Sequence, residues 1–460
     1  MGRERSVFAC TECGAQQPRW LGRCPECGSW STLVEEVAAR PSAKSTPSRG
    51  LHPPSPAAGM AKARSLREIE ASSASRLATQ VPELDRVLGG GIVPGSVILL
   101  AGEPGVGKST LALQLAAGVA GSGGVLYITG EESPEQLRLR ADRLPEVPKG
   151  VAVIAETRVE ALAGAWREQN PVVVLVDSIQ TLSTDRVESA PGSVAQVREC
   201  AAMLAATAKA DGTALVLIGH VTKEGVLAGP RVLEHLVDVV LSFEGERGHA
   251  FRLLRALKNR FGSTREVGVF SMTDAGLEGV ANPSELFLSE RRMGAPGSCI
   301  APMVEGSRPM LVEIQALVAP AGYGTARRTS LGFDDGRLAL LLAVLDRRGG
   351  VDLVGCDVYV NVAGGVRVSE TSGDLPVALA LASSLLDVSV PVDVAACGEI
   401  GLGGEVRRIG RVDLRVREAA RLGFRRVLVP AGTDLATPTE AEVIEVDHVA
   451  AAVDWLRSAG

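Results

Sequence analysis

Short runs of apolar residues recur along the middle of the chain, separated by segments whose apolar positions have helical spacing. The apolar runs cover residues 96–101, 125–129, 151–155, 172–177 and 214–219. Near-continuous apolar strands joined by helical crossovers are typical of a parallel sheet covered on both faces. The spacing predicts helices over residues 109–120 and 193–210, and a further helix from Ser133.

Later segments also have the apolar pattern of strands, but hairpins rather than helical crossovers are predicted to connect them. Residues 237–244, 250–259 and 266–273 are predicted to form hairpins that extend the sheet. From about Asn282 the chain has its own alternation and an apolar helix over residues 374–386, which predicts a separate α+β domain. We expect four segments: residues 1–36, 37–74, 75–280 and 281–460.

Composition narrows the class of protein. Hydrophobic residues make up 46% of the chain and charged residues 22%, which is typical of a globular protein. There is no apolar run long enough to span a bilayer, and the N-terminus lacks the apolar core of a signal peptide, so we expect a cytoplasmic protein with no membrane partner. The formal charge of −6 gives no overall basic footprint, so a nucleic-acid site has to be local.

Four of the eight cysteines form two tight pairs near the N-terminus. Ten residues separate the pairs, and each pair is followed by glycine. Four thiolates at this spacing are typical of a closed, tetrahedral structural zinc site, which leaves no position for a catalytic water. The expected Zn²⁺ ligands are Cys10, Cys13, Cys24 and Cys27.

Residues 37–74 are rich in Pro, Ser, Ala and Gly, which predicts a flexible linker between the zinc finger and the α/β domain. Between residues 38 and 67 there are six basic residues and no acidic one. This charge suits a contact with nucleic acid, and a solvated tether remains the alternative.

The segment GEPGVGKST matches the phosphate-binding pattern G-x-x-x-x-G-K-[ST] at every fixed position. Its glycines let backbone N–H groups face the phosphates, its lysine reaches the β and γ phosphates, and its serine hydroxyl can bind Mg²⁺. A predicted strand precedes it and a predicted helix follows it, as the mechanism requires. The expected ATP-binding residues are Gly102, Glu103, Pro104, Gly105, Val106, Gly107, Lys108, Ser109 and Thr110.

Three carboxylates have positions that suit hydrolysis. Asp177 ends a buried strand, where it can hold Mg²⁺ beside Ser109. Glu131 and Glu132 follow the strand 125–129, which we expect to neighbour the strand that enters the phosphate loop. Either glutamate can orient or deprotonate the attacking water, and Glu131 is preferred; first-turn helix residues are the alternative.

Two segments leave the strand ends without predicted secondary structure, residues 183–192 with Arg186 and residues 221–234 with Lys223 and Arg231. In a ring of such domains they would face a channel and contact a phosphate backbone, although solvent-facing connectors remain the alternative. His220 precedes the second segment and is predicted either to sense the γ-phosphate or to be structural.

The motif KNRFG at residues 258–262, together with the cysteine pairs, GEPGVGKST, GEES at residue 130 and GHVTKEG at residue 219, resembles the bacterial RadA (Sms) family of DNA-repair ATPases. The resemblance covers nearly the whole chain. It implies a RecA-like motor that forms a hexameric ring on single-stranded and branched DNA. It also implies a helicase that drives branch migration with the RecA recombinase.

Lys258 and Arg260 alternate at the end of a predicted strand. Two cations that project from a domain edge suit an arginine finger that acts on the γ-phosphate of a neighbouring subunit. Such a role makes hydrolysis depend on ring assembly, and a contact with solvent or DNA is the alternative.

The C-terminal segment resembles the proteolytic domain of Lon, which uses a Ser-Lys dyad. Ser372 aligns with the nucleophile, but the lysine position falls on Asp413 and there is no lysine after Lys258. Because arginine cannot act as a neutral amine base, we expect a proteolytically inactive domain used for assembly or DNA binding. A basic surface or a solvated face is expected for Arg327, Arg328, Arg407, Arg408, Arg411, Arg415 and Arg417.

The leading hypothesis is therefore an ATP-driven DNA motor with an α/β, RecA-like core. A KaiC-like regulatory ATPase is the alternative, although that family usually carries two ATPase domains and this chain has one phosphate loop. An ATP-dependent protease is a third possibility, and the missing lysine counts against it.

Overall fold

The computed structural model describes residues 6–10, 16–26, 28, 30, 32–37, 76–145, 149–220, 233–245, 251–289, 291–322, 326–435 and 438–459. The chain divides into two compact units, one of Met1–Arg247 with Arg252–Val280, the other of Gly248–Phe251 with Ala281–Gly460. Among the described helices, none combines the length and apolar character needed to cross a membrane.

The first unit begins with a small three-stranded antiparallel sheet. Its strands are β1 (Ser6–Cys10), β2 (Gln16–Gln17) and β3 (Leu33–Val37), in the order β2-β1-β3.

A nine-stranded sheet forms the body of this unit, in the order β12-β11-β10-β9-β4-β8-β7-β5-β6. Its strands are β4 (Val97–Gly102), β5 (Val125–Thr129), β6 (Val151–Ala155), β7 (Val173–Asp177), β8 (Ala214–His220), β9 (Val239–Glu244), β10 (Phe251–Asn259), β11 (Val267–Thr273) and β12 (Gly276–Gly279). The helices are α1 (Pro82–Leu88), α2 (Lys108–Val119), α3 (Pro134–Ala141), α4 (Leu162–Gln169) and α5 (Val194–Asp211). The six strands from β6 to β9 in this order are parallel.

Alternate residues of the parallel strands pack into two separate apolar clusters. On β4, Ile98 and Leu100 belong to one cluster and Val97 and Leu99 to the other. Helix α2 contributes to the first cluster and α5 to the second, so helices cover both faces of the sheet. The predicted α/β class is confirmed, and two-sided burial explains why these strands are apolar throughout.

One expectation about strand order was wrong. The strand that precedes Glu131, β5, does not neighbour β4, because β8 and β7 lie between them. Residues 237–244 extend the sheet through a hairpin as predicted, since β9 pairs in parallel with β4 and antiparallel with β10. Apolar patterning identifies strands but is the same for every buried neighbour, so it does not encode their order.

The second unit contains a seven-stranded mixed sheet, in the order β15-β16-β14-β13-β17-β20-β21. Its strands are β13 (Ser298–Glu305), β14 (Arg308–Pro320), β15 (Arg328–Leu331), β16 (Cys356–Val362), β17 (Val394–Ala396), β20 (Arg426–Pro430) and β21 (Glu442–Val446), and β18 (Glu399–Ile400) pairs separately with β19 (Val406–Arg407). The helices are α6 (Pro283–Leu288), α7 (Asp335–Val344), α8 (Asp374–Leu386), α9 (Val412–Arg421) and α10 (Val449–Ala459). Helix α8 is buried over its first ten residues, which explains its apolar sequence.

Candidate active site

The phosphate loop connects β4 to α2 at the carboxyl edge of the parallel strands. Gly105 and Gly107 have backbone φ values of 83° and 112°, which residues other than glycine rarely adopt. Within the described core, no side chain caps the N-terminus of α2 at Gly107, so its first N–H groups remain to be satisfied. Such an end is a binding site for an anionic phosphate. The loop lines a cleft of about 460 Å³.

Lys108 lies at the start of α2 and is only 4% exposed. Its Nζ donates to the carbonyls of Gly102 at 2.8 Å and Glu103 at 2.9 Å, so the amine is held within the loop. Burial lowers the pKa of Lys108 to about 8, although the nearby carboxylates of Asp177 and Glu131 oppose this effect. A phosphate group would restore the charged form.

Asp177 ends β7 and is 8% exposed. Its Oδ2 accepts a hydrogen bond of 2.7 Å from the hydroxyl of Tyr127, which lies fully buried on β5. Burial, followed by the charge of Asp177, raises the pKa of Tyr127 well above its ordinary value, so the phenol stays a donor. The bond orients the carboxylate. Sequence reasoning missed Tyr127. The signal that could have identified it is a tyrosine, which carries a hydroxyl group, among the aliphatic residues in the interior of β5.

Glu131 receives contacts from the ends of two other strands. Its Oε1 accepts a 2.6 Å bond from the hydroxyl of Ser178 and lies 3.1 Å from Nε2 of His220. Partial burial acts to raise the pKa of Glu131, but these two hydrogen bonds and the charges of His220 and Lys108 hold it below its ordinary value. The carboxylate therefore stays ionised beside the phosphate loop. Sequence reasoning did not identify Ser178, although it directly follows Asp177.

Glu132 has a different environment. Its carboxylate pairs with Arg140 of α3, and its backbone N–H donates to Thr129 Oγ1 at 3.1 Å. It also lines the cleft, but its charge is already paired within the same unit. The geometry favours Glu131 over Glu132 as the group that meets a water molecule.

Two further segments distant in sequence line the cleft. Arg143 and Leu144 follow α3, while Met272 lies on β11 and Asp274 at the turn between β11 and β12. Apolar surface with a charged rim suits the ring of a nucleobase. Sequence reasoning missed these residues, because no local pattern links the two segments.

Lys258 and Arg260 lie at the opposite edge of the sheet from the phosphate loop. Asn259 pairs with Val239, which in turn pairs with Ile98 near the start of β4. The length of β4, about 17 Å for a strand of this size, separates them from the loop of the same subunit. Lys258 Nζ donates to the carbonyls of Glu234 and Val237 at 2.5 and 2.8 Å, and Arg260 pairs with Asp238 at 2.9 Å.

Gln196 of α5 organises the segment that leaves β7. Its Nε2 donates to the carbonyls of Thr184, Val187 and Ser189 at 3.2, 2.8 and 3.0 Å. Arg186 in this segment lies 3.6 Å from Glu199. Lys223 and Arg231 of the second predicted segment lie outside the described residues.

The small N-terminal sheet brings two predicted zinc ligands together. Cys10 and Cys24 are 0% and 1% exposed and share one apolar cluster with Leu33. Gly28 N donates to Cys24 O at 2.9 Å, which closes a turn that begins at Cys24. Two buried thiols in one cluster, one of them at such a turn, fit a zinc site. Cys13 and Cys27 lie outside the described residues.

The prediction that Asp413 takes the place of the catalytic lysine beside Ser372 was wrong. Asp413 pairs with Arg417 on the exposed side of α9, at 3.0 Å. The side chain that reaches Ser372 Oγ is Arg415, whose Nη1 donates to it at 3.1 Å. Arg415 also pairs with Glu370, and Ser372 is only 2% exposed. A guanidinium cannot take the serine proton, because it stays charged at every accessible pH.

The arginines predicted to form either a basic surface or a solvated face do not share one environment. Arg415 is buried, Arg407 pairs with Glu405, and the Arg411 guanidinium donates to the carbonyl of Gly306.

Three family models match parts of the chain. The model of the rubredoxin metal binding domain matches residues 8–35, and that of the AAA domain matches residues 62–226. The model of the Lon protease (S16) C-terminal proteolytic domain matches residues 355–443.

Curated relatives match over almost their full length. The chain is 49% identical to the DNA repair protein RadA of Bacillus subtilis, over 98% of this chain and 99% of the relative. It is 49% identical to the protein of the same name from Halalkalibacterium halodurans, over 99% of both, and 48% identical to that of Pseudomonas aeruginosa, over 99% of this chain and 100% of the relative. Among solved structures, the KaiC-like protein PH0186 of Pyrococcus horikoshii matches 45% of this chain and 98% of its own, with 20% identity and a TM-score of 0.38.

Proposed function

The chain belongs to the RadA family of DNA repair proteins, and from this premise we propose that it is a DNA-dependent ATPase that works as a ring-shaped helicase. In the proposal, a hexamer of identical subunits moves on single-stranded and branched DNA and drives branch migration together with the RecA recombinase. The observation that carries the proposal is the meeting of Glu131, Ser178 and His220 beside the phosphate loop.

This meeting supports hydrolysis. The lowered pKa of Glu131 keeps its carboxylate ionised, so it can orient a water molecule and accept its proton. Lys108 supplies positive charge at the phosphates, and backbone N–H groups at the start of α2 supply further donors. Ser109 and Asp177 would hold Mg²⁺, which neutralises the phosphate charge when bound, since a hydroxyl and a carboxylate are ligands it prefers.

The same residues support coupling between hydrolysis and DNA. Ser178 follows β7 and His220 ends β8, and the two segments predicted to face DNA leave the sheet after these strands. A change at the γ-phosphate that moves Glu131 therefore acts on both segments through one carboxylate oxygen. In this proposal, Cys10, Cys13, Cys24 and Cys27 bind the structural Zn²⁺, and the unit containing Arg415 serves assembly or DNA binding without proteolysis.

The proposal is tested by a strand-displacement and branch-migration assay on forked DNA, with and without RecA. The wild-type protein should displace strands only with ATP, and single-stranded DNA should stimulate its hydrolysis. The Lys108→Ala protein is the control and should lose both activities. Hydrolysis that ignores DNA, together with no strand displacement, would support a regulatory ATPase instead.

A further inference from the structure

Two tryptophans of the small N-terminal sheet region are exposed to solvent. Trp20 is 57% exposed and Trp30 is 72% exposed, whereas Trp166 of the ATPase core is 2% exposed. The chain contains only four tryptophans, and aromatic residues make up 3% of it. Two large apolar rings left in water within one small motif indicate a binding surface, because burying such rings is strongly favourable.

The two rings converge above one glycine. A Cβ atom placed on Gly22 would lie 3.8 Å from a ring atom of Trp20 and 3.8 Å from a ring atom of Trp30. Arg23 holds Trp30 in place, since the two residues form a backbone bridge and the guanidinium lies 5.8 Å from the centre of the ring. Arg23 is itself anchored by a 2.7 Å bond from Nε to Gly28 O. The Trp30 ring is thus positioned before any ligand arrives.

Two arginines accompany the pair. Arg19 is exposed next to Trp20, and Arg23 lies beside Trp30. Flat rings with neighbouring cations match unstacked nucleobases on a phosphate backbone, since bases stack on aromatic side chains and phosphates pair with arginine.

We propose that Trp20 and Trp30 form a base-stacking platform for single-stranded DNA. This site rests on the proposed action on DNA and adds to it a contact outside the ATPase core. Duplex DNA does not fit, because its bases are stacked on one another. The platform also supplies the stacking contribution that neither segment leaving β7 and β8 provides, since residues 183–192 and 221–234 contain no aromatic residue.

The test measures binding of the full-length, zinc-loaded protein to an oligothymidylate. Trp20→Ala and Trp30→Ala should each weaken binding about tenfold, whereas Trp30→Phe should restore most of the affinity. Val34→Ala is the matched control, since Val34 is an apolar residue of β3 that is 53% exposed. Equal zinc content in all variants shows that the motif is folded. The salt dependence should keep its slope, because tryptophan neutralises no phosphate.

The outcomes separate this site from the proposed function. At saturating DNA, the tryptophan variants should hydrolyse ATP at the wild-type rate, with only the half-saturating DNA concentration raised. Unchanged affinity in the variants overturns the platform while the DNA-dependent ATPase stands. If the tryptophan variants keep normal DNA affinity but lose the stimulation of branch migration by RecA, the platform is also overturned. That result would assign the tryptophan pair to a protein contact. A wild-type protein that binds no oligothymidylate overturns both.

Discussion

His220 Nε2 lies 3.1 Å from Glu131 Oε1, although the two residues are 89 positions apart. The contact exists because β8 and β5 end at the same edge of the sheet, with β7 between them. Ser178, which follows β7, donates to the same carboxylate oxygen. One oxygen atom therefore joins the ends of three strands beside the phosphate loop.

Glu131→Gln should lower kcat for ATP hydrolysis by about 100-fold or more, because it removes the group that accepts the proton of water. Nucleotide affinity should change little, and steady-state kinetics with a binding titration would separate the two effects. Glu132→Gln is the matched control and should keep kcat within a few fold, since Glu132 is paired with Arg140. The reverse ranking of the two variants would assign the role to Glu132.

His220→Ala should preserve ATP binding and reduce the stimulation of hydrolysis by DNA. The substitution removes the contact between Glu131 and the end of β8, whereas Ser178 still holds the carboxylate. His220→Gln keeps a hydrogen-bond donor and should retain more of the stimulation. The ratio of hydrolysis rates with and without single-stranded DNA is the measurement, and an unchanged ratio in both variants would make His220 purely structural.

Nucleotide binding should take up close to one proton per site at pH 9. Burial lowers the pKa of Lys108 to about 8, so the free amine is mostly neutral at this pH, and a bound phosphate favours the charged form. Affinity should accordingly fall by up to about tenfold per pH unit above 8. Calorimetric titration with a non-hydrolysable ATP analogue in buffers of different ionisation enthalpy measures the uptake.

Lys108→Met is the control for this linkage and should abolish the proton uptake. The same depressed pKa has a stability consequence of known sign. Between pH 8 and 10.5 the unfolded chain binds more protons than the folded one at this residue, so the folded state gains stability as the pH rises. The absence of proton uptake by the wild-type protein at pH 9 would contradict the lowered pKa of Lys108.

Arg260→Ala should reduce hydrolysis by about 1000-fold if Arg260 acts on a neighbouring subunit. Mixing these subunits with Lys108→Ala subunits should restore activity at interfaces where an intact cleft meets an intact Arg260. The substitution should cost less than about 1 kcal/mol of stability, because Arg260 is half exposed and the buried Asp238 keeps its bonds to Val97 N and Lys209.

Lys209→Ala removes the other cation of Asp238 and serves as the matched control, with activity close to wild type. Complete absence of rescue in the mixed protein would argue for a DNA contact. Arg260 of the same subunit is excluded from the cleft by its position at the opposite sheet edge.

Ser372→Ala should leave ATP hydrolysis unchanged and cost at most about 1 kcal/mol, because Arg415 keeps its bonds to Glu370 and to Pro302 O. Arg415→Met should cost about 3 kcal/mol, since it removes a buried cation and leaves the carboxylate of Glu370 without it. Urea unfolding of the full chain measures both. A peptidase activity that Ser372→Ala abolishes would overturn the inactive assignment.

Local patterns carried most of the fold prediction. Alternate residues of each core strand pack into one or the other of two apolar clusters, so the strands are apolar throughout and could be recognised. The fixed spacing of GEPGVGKST identified the loop between β4 and α2. The family resemblance was confirmed by the full-length relatives. The roles of the individual site residues stay predictions.

Long-range packing decided what local patterns do not encode. Nothing near Glu131 predicts that Ser178 and His220 share its oxygen, and nothing near Ser372 predicts that Arg415 rather than Asp413 faces it. The sequence by itself determined the strands, the helices, the phosphate loop and the cysteine pairs, because these depend on neighbours along the chain. Only the tertiary structure decided the strand order, the partners of each carboxylate and the edge on which Arg260 lies, because these depend on which surfaces pack together.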